Sequence, residues 1–146
     1  VMDHHIFRTP LISFIFRHTR AIPIASARED AAMMEAAFAE VSLALREGEL
    51  VGIFPEGRIT DTGELYPFRP GVTRILERDP VPVIPLALQG LWGSFFSRKD
   101  GPAMSKPFRR GLFAKVAVVG AAPVAAAEAT PENLQEIVAR LRGDWK

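Results

Sequence analysis

The chain has 146 residues, enough for one compact unit with a buried core and short for a two-domain enzyme. With 48% hydrophobic and 24% charged residues its composition argues against disorder, and a formal net charge of +1 gives no global field that would demand nucleic acid or an acidic partner. The absence of cysteine excludes disulfides, thiolate catalysis and a cysteine-based zinc site.

Opening on VMDHH, the chain has neither an initiator methionine nor the basic, apolar, small-residue progression of a signal peptide, and it reads as a piece cut from something longer. Residues 11–24 mix apolar and aromatic groups with basic ones and end in a short strand, AIPIA, whose proline favours an edge. Ser26 and Glu29 stand three apart as in a capping box. Behind them, Met34, Phe38, Val41 and Leu45 recur at helical spacing, predicting an amphipathic helix closed by Gly48.

LVGIF, residues 50–54, is a short apolar run stopped by Pro55, as expected of a strand buried on both faces. The segment DTGELYPFRPG carries turn residues throughout, and VTRILER supplies one or two helical turns entered behind Pro70 and Gly71. VPVIPLAL, residues 81–88, predicts a second buried strand. Residues 89–111 form a long irregular segment, and LFAKVAVVG a third strand. Thr130 as N-cap with Pro131 at the first helical position opens a last helix, with Leu134, Ile137, Val138 and Leu141 inward. Strands alternating with helices predict one α/β domain over residues 1–146, with a mixed, largely parallel central sheet and flanking helices. The longest apolar stretch, residues 116–127, is broken by Gly120 and Pro123 and falls short of the roughly 20 residues a membrane span needs.

In open α/β sheets ligands collect beyond the carboxyl ends of strands, where Glu56, Gly57 and Arg58 would project. Arg58 can offer a bidentate fork to a phosphate, Gly57 lets the backbone approach an anion, and Glu56 can orient an arginine or accept from a substrate hydroxyl. The competing reading is a plain polar turn with a surface ion pair. Glu56 and Asp61 do not establish a glycosidase-like carboxylate pair, because spacing on a loop says nothing about separation. Glu64 and Asp79 are expected as solvated charges. Adjacent His4 and His5 diverge on a helix or a strand, a poor arrangement for a metal, so no metal site is expected.

FPEGRIT, then FRPGV, then VPVIPLAL resemble the successive motifs of the glycerolipid acyltransferase family, which includes lysophosphatidate and 2-acylglycerophosphoethanolamine acyltransferases. The resemblance covers residues 21–88. It implies that Glu56, Gly57, Arg58 and Thr60 bind the phosphate of the acceptor. It also implies that Phe54, Pro55, Phe68, Arg69, Gly71 and Pro85 shape the site. The implied reaction carries an acyl chain from a thioester, acyl-CoA or acyl carrier protein, to the free hydroxyl of a lysophospholipid in phospholipid synthesis or remodelling. No cofactor beyond that co-substrate is implied.

Three departures stand out. After the glycine the family loop usually continues Thr-Arg-Ser; here Arg58, Ile59 and Thr60 follow, as in the branch fused to a lysophospholipid transporter or an acyl-carrier-protein synthetase. The family's arginine-bearing second motif is reduced to RAIPIASAR, where Arg20 or Arg28 would stand in. The family's base is the histidine of a His-x-x-x-x-Asp motif, with the aspartate fixing its tautomer. Five residues after His4, His5 and His18 come Thr9, Pro10 and Pro23, so the chain contains no catalytic residue of that kind and the motif is expected upstream.

Trp92, Phe95 and Phe96 share a loop with Arg98, Lys99, Lys106, Arg109 and Arg110. Aromatic groups settle at headgroup level and basic residues favour an anionic leaflet, so this is either a peripheral docking surface on the cytoplasmic membrane face or a set of aromatics closing the core. Residues 11–16 carry the same choice between core and acyl or membrane contact. Aromatic and basic interleaving would also suit single-stranded nucleic acid, but the near-neutral charge and lack of a recognised module weigh against it. The reading is therefore the larger, C-terminal part of an acyltransferase domain, inactive alone. The alternatives are a non-catalytic phospholipid- or phosphate-binding regulatory module and an unrelated anion-binding α/β domain.

Overall fold

The computed structural model describes residues 2–3, 21–24, 29–94, 97–99, 101 and 115–144. Strands β1 (Met2–Asp3) and β2 (Pro23–Ile24) pair in parallel, Met2 opposite Pro23 and Asp3 opposite Ile24. Helix α1 (Ala31–Arg46) follows and packs on β2. Its N-cap is Asp30, whose carboxylate accepts from the Met33 N–H at 2.8 Å. The aspartate next to the first turn therefore does the capping expected of Ser26, which lies outside the described residues. At the other end, Gly48 takes φ +79° and donates to Leu45, while Glu49 donates to Ala44. These paired bonds satisfy carbonyls the helix leaves open, and glycine at that position closes the helix as anticipated.

Ala37, Phe38 and Val41 are the buried positions of α1. Helix α2 (Gly71–Arg78) lies against this face, with Arg74 and Arg78 over the Phe38 ring and both paired with Glu35, at 3.4 and 2.7 Å. Asp79, which caps the end of α2, is only 8% exposed. It accepts the Ser42 hydroxyl and, at 2.9 Å, the Arg46 Nε–H, both from α1. It is an interhelical rivet and not the solvated charge the sequence suggests, because the end of α2 meets the last turns of α1.

Strands β3 (Leu86–Gln89) and β4 (Ala117–Gly120) run antiparallel, with Leu86 opposite Gly120 and Leu88 opposite Val118. Val83 extends this pairing by reciprocal bonds with Val124 at 2.9 and 2.8 Å. Pro82 and Pro85 carry no N–H and cannot donate to a ladder, so the expected strand over residues 81–88 is an isolated bridge followed by β3. A short 3-10 turn (Ala126–Glu128) leads to helix α3 (Pro131–Arg142). Its Thr130 cap and leading Pro131 stand as expected, with the Asn133 N–H donating to Thr130 Oγ1 at 3.2 Å.

The core joins Val72 and Leu76 of α2 to Ala129 and to Leu134 of α3, with Ile53, Phe68, Val81, Val83 and Val124 packed against them. Each fully buried aliphatic side chain contributes about 1.5–3 kcal/mol. Only one side of the sheet layer is covered by these helices. Leu50 is 96% exposed, and Phe54, Ile84, Leu86, Leu88, Val116 and Val118 are also exposed. The expectation of strands buried on both faces is thus corrected. Residues 51–54 form no described ladder, Ile53 turns inward while Phe54 turns out, and β3 alternates Ala87 in with Leu86 and Leu88 out. The chain mixes helices and strands, but its described strands form two separate pairs, one parallel and one antiparallel, and not one largely parallel central sheet.

Candidate functional site

The Phe54 to Gly71 loop carries the residues singled out by sequence, and the core beneath it is held by Phe68. Two backbone bonds shape its start: Gly57 N–H to the Phe54 carbonyl at 3.0 Å, and Arg69 N–H to the Pro55 carbonyl at 2.9 Å. The second bond closes the loop on itself, bringing FPEGR and FRPG side by side. Glu56, half-buried, turns its Oε2 to the Tyr66 N–H at 2.7 Å. Burial pushes its carboxyl above the usual range, opposed by the Tyr66 N–H and by the positive charge of Arg142. Glu56 is therefore engaged inside the loop, as its internal brace.

Gly57 takes φ +66°, the left-handed region that glycine reaches without strain. The Arg69 side chain fills the space above it: a Cβ at Gly57 would lie 3.1 Å from Arg69 Cδ and Nε. Among the described residues no carboxylate pairs with Arg69, whose side chain is exposed. Arg58 is in a different state. Its guanidinium carbon is 3.8 Å from the centroid of the Tyr66 ring, and its Nη2 is 3.7 Å from Asp61 Oδ2. The Tyr66 hydroxyl donates to Asp61 Oδ1. That bond is the main reason the Asp61 carboxyl lies below its ordinary range, with Arg58 and Arg98 adding smaller electrostatic contributions. The same bond pushes the Tyr66 phenol up.

Thr60 works as a turn former. Its Oγ1 accepts from the N–H groups of Thr62 at 3.3 Å and Gly63 at 3.1 Å. Gly63, at φ +82°, sits under the Trp92 ring, which would be 2.7 Å from a Cβ there. The Trp92 indole, half-buried, covers the loop at Gly63. Arg98 and Lys99 are exposed, while Phe95, Phe96, Lys106, Arg109 and Arg110 lie outside the described residues. His4, His5, His18, Arg20 and Arg28 do too. Pro85 is buried, and its carbonyl accepts from Ala121 at 3.0 Å on the β4 side. Gly71 is the first residue of α2.

The residues that frame the loop and were not singled out from sequence are Tyr66 and the α3 residues Gln135 and Arg142, while Asp61, weighed there only beside Glu56, bonds to Tyr66. Gln135 Oε1 accepts the Phe68 N–H at 2.9 Å, and Arg142 reaches the Gly63 carbonyl and Glu64, each at 2.8 Å. Tyr66 had one visible signal, being the only tyrosine in the chain and lying between the two motifs. The α3 residues had none, since their partners are more than sixty positions away. Among the described residues no cluster of His, Asp and Glu suits a metal ion, and no helix is long and apolar enough to cross a membrane.

The loop thus offers guanidinium groups beside a glycine turn, an arrangement suited to an anion. A family model described as Acyltransferase matches residues 1–89, which takes in α1, the entire loop, α2 and β3. Searches of curated proteins and of solved structures find no significant match. The match covers more than half of the chain and includes the Phe-Pro-Glu-Gly loop, and so this chain belongs to the Acyltransferase family.

Proposed function

We propose that this chain is the acceptor-phosphate part of a glycerolipid acyltransferase, in which a lysophospholipid hydroxyl takes an acyl group from acyl-CoA or acyl carrier protein. The observation that carries the reading is Arg69 laid along Gly57 with no carboxylate partner among the described residues, next to Arg58. An anion meeting this surface finds a guanidinium not already neutralised. The family match supports acyl transfer as the chemistry.

In that reaction the acceptor oxygen attacks the thioester carbonyl, a C–O bond forms, the C–S bond breaks, and the hydroxyl proton passes through a base to the departing thiolate. Arg69 and Arg58 hold the phosphate and so place the hydroxyl. The base is not among this chain's histidines, none of which precedes an aspartate by five positions. It is supplied in our reading by a His-x-x-x-x-Asp segment upstream. Exposed Arg98 and Lys99 favour a peripheral seat on an anionic leaflet.

The absent histidine pattern favours one second reading, a phospholipid-binding module that retains the anion site without catalysis. Transfer of a radiolabelled acyl group from acyl-CoA to lysophosphatidate, measured with this chain and with the chain carrying its native upstream residues, separates the two. Activity of the longer protein supports the enzyme. Inactivity of both, with lysophosphatidate still bound, supports the module.

A further inference from the structure

The family match stops at Gln89, yet the loop it contains is held from outside by α3. Arg142, with a side chain only 17% exposed, sends Nη1 to the Gly63 carbonyl and Nη2 to Glu64 Oε2, both at 2.8 Å. Its Nε is buried with no partner among the described residues, so the two terminal nitrogens define where the guanidinium sits. About two turns upstream, Gln135 accepts the Phe68 N–H at 2.9 Å. The end of α3 is itself fixed, because Gln89 Nε2 donates to the Leu141 and Arg142 carbonyls at 2.8 and 3.1 Å. Residues 63–68 are thereby pinned at both ends, and Tyr66 between them donates its N–H to Glu56 and lies against Arg58.

We propose that Arg142 and Gln135 are positioning residues of the anion site: α3 clamps residues 63–68, and this segment in turn sets Glu56 and Arg58 in place. A bidentate arginine is the side chain suited to this, because one rigid fork satisfies a backbone carbonyl and a carboxylate together. Lysine keeps the charge and loses the fork. The part of the proposal that concerns ligand rests on the acceptor-phosphate reading above; the clamp itself does not.

The test follows amide hydrogen exchange by NMR in the whole chain, together with titration of glycerol 3-phosphate. In Arg142→Ala the Tyr66 amide should exchange about tenfold faster, while Val41 and Leu76 keep their rates, since a charge-assisted bond is lost locally. Glycerol 3-phosphate affinity should fall by a similar factor. Arg142→Lys should leave the Tyr66 amide fast but return the Glu56 carboxyl titration towards that of the parent chain, because Arg142 acts on Glu56 through charge. Should Arg142→Ala fail to fold, Gln135→Ala tests the same clamp through the Phe68 and Tyr66 amides. Unchanged Tyr66 exchange overturns the proposal, as does uniform acceleration of every amide. If Tyr66 exchange responds locally but the parent chain binds no glycerol 3-phosphate, the clamp stands and the acceptor-phosphate reading falls.

Discussion

The Arg58 guanidinium lies over the ring of Tyr66, and the hydroxyl of that tyrosine is bonded to Asp61, the carboxylate paired with Arg58 among the described residues. Asp61 therefore occupies one side of the arginine that an incoming phosphate would use, whereas Arg69 carries no such partner among the described residues.

This difference orders three variants. Arg69→Ala should weaken glycerol 3-phosphate binding by about 1.5 to 3 kcal/mol, the range of a charge-assisted bond, and Arg58→Ala by less. Asp61→Asn should strengthen binding by releasing Arg58. Isothermal titration of the three proteins checks the order, and a larger loss for Arg58→Ala than for Arg69→Ala would reverse the assignment.

Tyr66→Phe keeps the ring beneath Arg58 and removes the hydroxyl. Because that hydroxyl is the leading cause of the low Asp61 pKa, the Asp61 titration followed by carboxyl NMR should move up towards the ordinary carboxylate range. Thermal stability should change little, since the pair is exposed.

Two glycine substitutions separate backbone strain from crowding. Gly57→Ala places a Cβ at φ +66° against the flexible Arg69 side chain, costing about 1–2 kcal/mol for the left-handed conformation. Gly63→Ala adds to the same strain a collision at 2.7 Å with the Trp92 ring, which cannot swing aside as an arginine tip can, so the loss should reach about 3 kcal/mol or more. Urea unfolding should rank Gly63→Ala as the more damaging, and the reverse rank would mean that the indole moves freely.

Asp79 makes acid sensitivity predictable. The Ser42 hydroxyl first, and then Arg46, hold its carboxyl below the usual range in the folded chain. A depressed folded pKa means that the unfolded state binds the proton more readily, so the stabilisation is present above the unfolded pKa of roughly 3.9 and is lost as pH falls through the lower folded value. Asp79→Asn should flatten the acid side of the melting-temperature profile. An unaltered acid limb would show that other carboxylates dominate it.

Local signals in the sequence were readable where the determinant is itself local. Gly48 and the Thr130–Pro131 pair end and begin helices by their own backbone chemistry, and both stand where periodicity places them. The FPEGR and FRPG segments are read from sequence as parts of one candidate site, and a backbone bond from Arg69 to Pro55 sets them side by side. What the sequence concealed depends on distant partners. Nothing adjacent to Asp79 announces that Ser42 and Arg46 await it, and nothing near Glu64 announces Arg142. The apolar runs 50–54 and 81–88 misled for another reason: an apolar residue records a preference for cover, while the described helices cover one face only.

That one-sided sheet has a calorimetric consequence. The heat-capacity increment of unfolding measures apolar surface newly wetted, about 12–15 cal/mol/K per residue in an ordinary globular chain. Leu50, Ile84, Leu86, Val116 and Val118 already face water in the native state and add little to it. This chain should unfold with a shallower stability curve and a smaller urea slope than its length implies. Any body that comes to rest on the open face will steepen both, so the increment itself reports whether that face is covered.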